Sequence, residues 1–315
     1  MAGRDLYNGV LLLNKPSGIS SHDAVLRLRN ILKQQGIGHT GTLDPLAEGL
    51  LIICLGRATK IAQYISEQDK IYEAEVHLGI RSTTYDAEGA DFSKTPTPIP
   101  DLSDDRLNSL LMKFIGEITQ QVPAFSAVKI DGKPLYTRAR RGETFELPER
   151  QVQIYDIKLL AFEKPLLTIA VTCTRGTYIR TLADDIGREI GCGAFLSSLR
   201  RTAVGKFRLA EALTLEDVDR YIKLNKFEPH LQSIENVLDY SAIKITDDFS
   251  RFVINGRYLN WQDVTGFEGR FSAGDRVLLK DSRGAALAIG IAGVGSDEFE
   301  TRKDNQLFNY IRVLN

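Results

Sequence analysis

The chain is poor in the residues that staple, chelate or anchor a protein. Its 315 residues include three cysteines, two methionines and one tryptophan. Cys54, Cys173 and Cys192 stand far apart with no C-x-x-C pair, which argues against a disulfide framework or a zinc knuckle. Long apolar runs are missing too. The longest, 50–55, falls far short of the ~20 residues a membrane helix needs. The N-terminus lacks the charged, apolar, small-residue order of a signal peptide, so a cytoplasmic protein with no membrane partner is expected. Nor is there an excess of charge. Forty basic and 41 acidic residues leave a formal charge of −1, a total that by itself argues against a nucleic-acid partner.

What is present is ordinary globular material, 43% hydrophobic and 26% charged. The length predicts two domains. Residues 9–15 (GVLLLNK) read as a buried strand, and Ser21 takes the N-cap place of a helix with Val25, Leu28 and Leu32 on one face. A glycine-rich loop, 36–49, leads into the run 50–55, whose unbroken apolar character predicts a strand covered on both faces. Residues 58–67 read as helical, and 70–78 alternate, with Tyr72, Ala74, Val76 and Leu78 on one side. Beyond Pro96, Pro98 and Pro100, Leu107, Leu111, Phe114 and Ile115 describe an amphipathic helix. Residues 152–162 and 166–174 pattern as paired strands, 177–190 as a helix closed by Gly191, and 214–240 as acidic and helical. From about Ser241, short apolar runs alternate with glycine and aspartate turns, predicting a small β domain. The expected class is α+β, with a mixed and mainly antiparallel sheet.

Gly36-Ile-Gly38-His39-Thr40-Gly41 spells G-x-G-x-x-G, but a helix precedes it and Asp44-Pro45 follows. A dinucleotide fingerprint needs a strand before it and a helix within it, so that reading fails. The loop does offer an acidic residue in extended backbone. An aspartate, with an ordinary pKa near ~3.9, is an anion at neutral pH and can serve as nucleophile, base or counter-ion. The plainer alternative is a turn opened by Asp-Pro.

Several motifs occur in one order. Asn14-Lys15-Pro16-x-Gly18-x-x-Ser21 is followed by Gly38-His39-Thr40-Gly41-Thr42-Leu43-Asp44-Pro45-x-Ala47-x-Gly49, then Tyr72 with Leu78-Gly79, Asp86-x-x-Gly89, Gln121-x-Pro123 and Ser126-Ala127. Gly176-Thr177-Tyr178-Ile179-Arg180, Gly191-Cys192-Gly193-Ala194 and Leu199-Arg200-Arg201 complete the series. Together they resemble the TruB family of tRNA pseudouridine synthases over about residues 9–206. The resemblance implies a catalytic domain over 1–240, with a basic RNA-gripping insertion at about 123–150, and a PUA-like RNA-binding domain over 241–315. It implies isomerisation of one T-loop uridine of tRNA (position 55) with no cofactor and no metal. It further implies a stand-alone monomer needing neither guide RNA nor an obligate protein partner.

Carried over residue by residue, the resemblance makes Asp44 the catalytic aspartate and Arg180 its partner. His39, Tyr72, Tyr178 and Leu199 then fall at positions contacting the flipped-out nucleotide, with Tyr72 also a candidate to take or relay a proton. Phe125 and Ser82 depart from the commoner tyrosine and threonine of the family. Chemically the assignment is coherent. Moving a base from N1 to C5 linkage is redox-neutral and adds nothing, so it needs a nucleophile, a grip on a detached base and a proton acceptor. Extruding a base costs a few kcal/mol, and stacking on an aromatic returns about 1–3 kcal/mol. Each residue also has a plain structural alternative: a strand aromatic for Tyr72, a surface arginine for Arg180, core residues for Tyr178 and Leu199. His22, His77 and His230 receive no role.

Charge is segregated along the chain. Residues 126–142 hold five basic side chains (Lys129, Lys133, Arg138, Arg140, Arg141) against Asp131 alone, with Tyr136 among them. Residues 174–208 hold seven against three acids, whereas 211–240 hold seven acids against three bases. The first segment, together with Lys15, supplies the candidate RNA contacts, so the neutral total conceals a basic face. A tRNA-binding folding chaperone with dispensable catalysis is the alternative, and a nucleoside-hydrolysing enzyme a third reading.

Overall fold

Alternate side chains of the 50–55 run enter two different cores, and this organises the molecule. Leu51, Ile53 and Leu55 belong to one hydrophobic cluster, and Leu50, Ile52 and Cys54 to another. Each fully buried Leu or Ile contributes roughly 1.5–3 kcal/mol relative to exposure, so the strand is fixed from both sides. The computed structural model describes residues 6–126, 128–130, 132–143, 145–299 and 306–314.

The chain begins β1 (Gly9–Lys15), α1 (Ser21–Leu32), β2 (Ile37–His39), β3 (Glu48–Leu55), α2 (Ala62–Ser66) and β4 (Lys70–Leu78). It continues through α3 (Asp104–Leu111) and β5 (Gly116–Gln121) to a small basic unit, β6 (Lys129–Ile130), β7 (Lys133–Pro134) and α4 (Leu135–Arg140). Next come β8 (Glu149–Glu163), β9 (Leu166–Cys173), α5 (Ile179–Ile190), β10 (Ala194–Val204), β11 (Phe207–Arg208), α6 (Leu215–Lys223) and α7 (Ile234–Leu238). The last part is β12 (Ala242–Ile245), α8 (Asp247–Ser250), β13 (Val264–Glu268), β14 (Arg276–Lys280), β15 (Ala286–Ala292) and β16 (Phe308–Val313).

Nine strands form one sheet in the order β1-β3-β10-β4-β9-β8-β5, with β2 on β3 and β11 on β10. Every pairing is antiparallel except β3 with β10. That parallel contact brings Gly49 opposite Arg201. A Cβ on Gly49 would lie 2.5 Å from the Arg201 carbonyl oxygen, and its φ of +99° suits glycine. Helices α1 and α5 bury their apolar faces on one side of the sheet. On the other side the five-stranded sheet β13-β12-β14-β15-β16 contributes Ala242, Leu278, Ala286, Ile289 and Leu314 to the cluster of Val10, Leu50 and Ile52. The α+β class and mainly antiparallel pairing agree with the sequence reading.

Some local expectations are corrected. The N-cap of α1 is Ser20, whose hydroxyl accepts from Asp23 N in a capping box, whereas Ser21 is the first helical residue and buried. The acidic stretch 214–240 is not continuous helix but α6, a 3₁₀ turn at Glu228–His230 and α7. Residues 58–67 likewise divide between a 3₁₀ segment, Gly56–Ile61, and α2.

Candidate active site

The loop between β2 and β3 is held by side chains and carbonyls distant in sequence. Ser21 Oγ accepts from Leu43 N at 2.8 Å and donates to Leu43 O at 3.0 Å. Ser17 Oγ donates to Leu46 O, and Gly18 N donates to Pro45 O. These bonds fix Asp44 from both flanks. Its side chain keeps about a third of its surface open (35%).

Arg180 meets that carboxylate from the first turn of α5. Its Nε lies 2.9 Å from Asp44 Oδ2, an ion pair rather than an aligned hydrogen bond, since the Nε hydrogen has no acceptor in line. One terminal nitrogen donates to Asp86 Oδ2 at 3.1 Å and to Thr84 O, and the other donates to Phe125 O at 3.0 Å. The arginine side chain is only 4% exposed. The surface-arginine alternative is thereby excluded, and one guanidinium holds two carboxylates. Asp86 belongs to a sequence motif but carried no predicted role. Glu88 N and the Thr84 hydroxyl hold its Oδ1; both carboxylates line the cleft, Asp44 the more open and Asp86 the more buried.

Burial pushes the Asp44 carboxyl above its ordinary value. The Arg180 charge pulls it back, and the charge of Asp86 adds to the upward push. The cleft, about 590 Å³, lies within the usual range for small-molecule sites. Asp44, Tyr72, Tyr178, Arg180 and Leu199 all line it, with Phe125 and Tyr136 at its wall. Tyr72 is buried on β4, where burial raises its phenol and Arg201 draws it down. Tyr178 is the N-cap residue of α5, and the Gln120 amide clamps its backbone, accepting from its N–H and donating to its carbonyl. No sequence signal marked Gln120.

Two predicted residues are placed differently. His39 does not line the cleft. Its Nδ1 accepts from Gly41 N at 3.4 Å, a bond within the loop itself, and burial lowers its pKa. Lys15 is fully buried and its Nζ donates to the carbonyls of Pro16 and Ile19, which removes it from the candidate phosphate contacts. Burial lowers its pKa to about 8, against the supporting charge of Asp44.

The basic unit is mixed in character. Lys133 is exposed. Arg141 is 66% exposed with Glu143 at 4.0 Å. Arg138 is engaged, donating to Glu143 at 2.9 Å and lying over the Phe145 ring. Glu143 falls one residue past the window counted as basic, so the local excess is smaller than the sequence count. The side chains of Lys129 and Arg140 lie outside the described residues. Of the unassigned histidines, His77 stacks on Phe195 and His230 on Tyr221. Among the described residues no group of three or more His, Cys, Asp or Glu could hold a metal ion, and no helix is long and apolar enough to cross a membrane.

Comparison with known proteins supplies the wider frame. The N-terminal domain of the TruB family of pseudouridylate synthases matches residues 29–179, the tRNA pseudouridylate synthase B C-terminal domain matches 180–239, and a PUA domain matches 241–314. A tRNA pseudouridine synthase B from Burkholderia lata is 41% identical over 290 residues, covering 92% of this chain and 87% of its own. One from Cupriavidus metallidurans is 51% identical over 218 residues, 69% of this chain and 68% of its own. The crystal structure of a Cbf5–Nop10–Gar1 complex contains a chain similar in fold, with a TM-score of 0.73 and 27% identity over 98% of this chain and 85% of that one. The motifs, the cleft they build and the matched domains converge, and the chain belongs to the TruB family of pseudouridylate synthases.

Proposed function

We propose that the protein isomerises a uridine in the T-loop of tRNA, at position 55, to pseudouridine. It acts on a flipped-out base and without a cofactor. One observation carries this reading: an aspartate fixed by a buried arginine at the open side of a cleft whose walls are Tyr72, Tyr178 and Leu199. The carboxylate serves as nucleophile toward ribose C1′ or uracil C6, or as the base that starts glycal formation, and each route begins from the same anion. Arg180 keeps that anion oriented. Tyr72 stacks on the extruded base, and its hydroxyl relays the C5 proton, accepting it on oxygen as it passes its own proton to water. Exposed cations of the 123–150 insertion, Lys133 and Arg141 among them, grip backbone phosphate, and the 241–315 domain adds RNA surface. The protein works as a cytoplasmic monomer without guide RNA.

Tritium release from C5-labelled uridine in a tRNA transcript tests the reading. The wild-type protein is expected to release label and Asp44→Asn none. Equal release by both would remove Asp44 from its role. Free uracil among the products would indicate hydrolysis instead, and tRNA binding without any release would leave the folding-chaperone reading.

A further inference from the structure

Arg201 is a buried cation with no carboxylate of its own. Its residue is 3% exposed, and among the described residues it forms no ion pair within 4.0 Å. It is held by carbonyls instead. Nε donates to Leu50 O on β3 at 2.7 Å, and a terminal nitrogen donates to Gly41 O in the Asp44 loop at 3.1 Å. In the ladder it sits opposite Gly49 on one side and opposite Tyr72 on the other. It also lines the same cleft as Asp44 and Tyr72. Burying an uncompensated guanidinium costs several kcal/mol, so its charge calls for an account beyond packing.

The groups around it give one. Lys15, His39 and Lys70 each have their protonated form disfavoured by its charge, so none of them answers that charge. The Tyr72 phenol differs: Arg201 is its cross-strand partner in the ladder, both line the cleft, and the guanidinium charge favours the anionic form, while burial, the larger influence, holds the phenol above its ordinary value. With donors committed to the carbonyls of Leu50 and Gly41, the planar fork fixes its charge beside Tyr72, which a flexible lysine would not.

We propose that Arg201 is the positioning residue of Tyr72: it ties the phenol to the Asp44 loop and to β3, so that hydroxyl and carboxylate address the same nucleotide from fixed places. This rests on the isomerase reading for its consequence in catalysis, but not for its geometry.

A double-mutant cycle with a titration tests it. Pseudouridine formation is followed under single-turnover conditions, at saturating tRNA, for Arg201→Gln and Arg201→Lys in the wild-type and Tyr72→Phe backgrounds. Circular dichroism confirms that each variant is folded, with Arg201→Lys retaining the charge should Arg201→Gln fail to fold. The substitutions are expected to lower the rate about tenfold or more when Tyr72 is present and less than about threefold when it is Phe, with KM little changed. In the free protein, 3-fluorotyrosine at position 72 is titrated by ¹⁹F NMR. Its midpoint is expected to rise in Arg201→Gln and stay near the original in Arg201→Lys. Equal proportional losses in both backgrounds, or an unmoved midpoint in Arg201→Gln, would overturn the proposal. Should the wild-type protein form no pseudouridine, the isomerase reading fails, and the titration alone still decides whether Arg201 governs Tyr72.

Discussion

The cleft and the basic insertion use the same side chain in opposite ways. Arg180 is 4% exposed, pairs by charge with Asp44, and spends its terminal donors on Asp86, Thr84 and Phe125. Arg141, 66% exposed, has Glu143 at 4.0 Å. A buried arginine with every partner fixed determines geometry, because its neighbours have no water to fall back on. An exposed arginine determines attraction, which is long in range, tolerant of position and screened by salt. The first kind should govern the chemical step and the second the capture of RNA.

The strongest way to break this contrast is at Arg180. Arg180→Met leaves two carboxylates without their cation, and it should destabilise the fold by about 3–5 kcal/mol in denaturant titration. It should also slow single-turnover isomerisation by about 100-fold or more, since the reacting carboxylate loses its fixed position. Arg180→Lys should recover part of the stability and little of the rate, because a single ammonium cannot bridge both acids and the Phe125 carbonyl. A rate loss no larger than that of an exposed arginine would end the distinction.

The pH profile sharpens it. The proposed mechanism requires Asp44 as an anion, and burial has raised its pKa above the ordinary 3.8. The anion is therefore lost as pH falls through a value higher than that, and the acid limb of the single-turnover rate should lie above the usual aspartate range. Asp86→Asn removes a charge that pushes Asp44 upward, so the limb should move to lower pH in that variant. A limb that moves upward would show that Asp86 acts mainly by holding Arg180 in place.

The smallest effect belongs to the exposed cations. Replacing Lys133 and Arg141 by alanine should weaken tRNA binding several-fold and make its salt dependence shallower, by about one unit of slope for each phosphate no longer neutralised. The single-turnover rate at saturating tRNA should not change. Arg138→Ala should alter binding less, since Glu143 already answers its charge. An unchanged slope would show that Lys133 and Arg141 do not touch phosphate.

How much of the site was legible depended on where each residue's partners lie in the chain. The strand Glu48–Leu55 was readable because an unbroken apolar run states its own burial. The helix after Tyr178 was readable because Gly191 stops it locally, in the left-handed region at φ +88°. Asp44 was readable only within a motif, since Asp-Pro alone is equally a turn. Lys15 was misread as a phosphate contact. Nothing in NKP shows that its ammonium turns inward onto the carbonyls of Pro16 and Ile19. Ser20 and Ser21 are both capping residues by type, and the distinction came from Leu43, whose backbone occupies the Ser21 hydroxyl. Gln120 gave no sign, and Arg201 stood in a motif without a role, because they act on Tyr178, Gly41 and Leu50 across the sheet.

By itself the sequence determined the alternation that sorts residues between two cores, the order of the motifs and the family they specify. These are local properties, written in spacing and side-chain type. Only the tertiary structure decided which charges are inside. Arg180, Arg201 and Lys15 are buried while Arg141 is not, and nothing in the residues themselves distinguishes them. Whether a cation can leave water depends on acceptors waiting for it, and those of Arg201 lie 151 and 160 residues away along the chain.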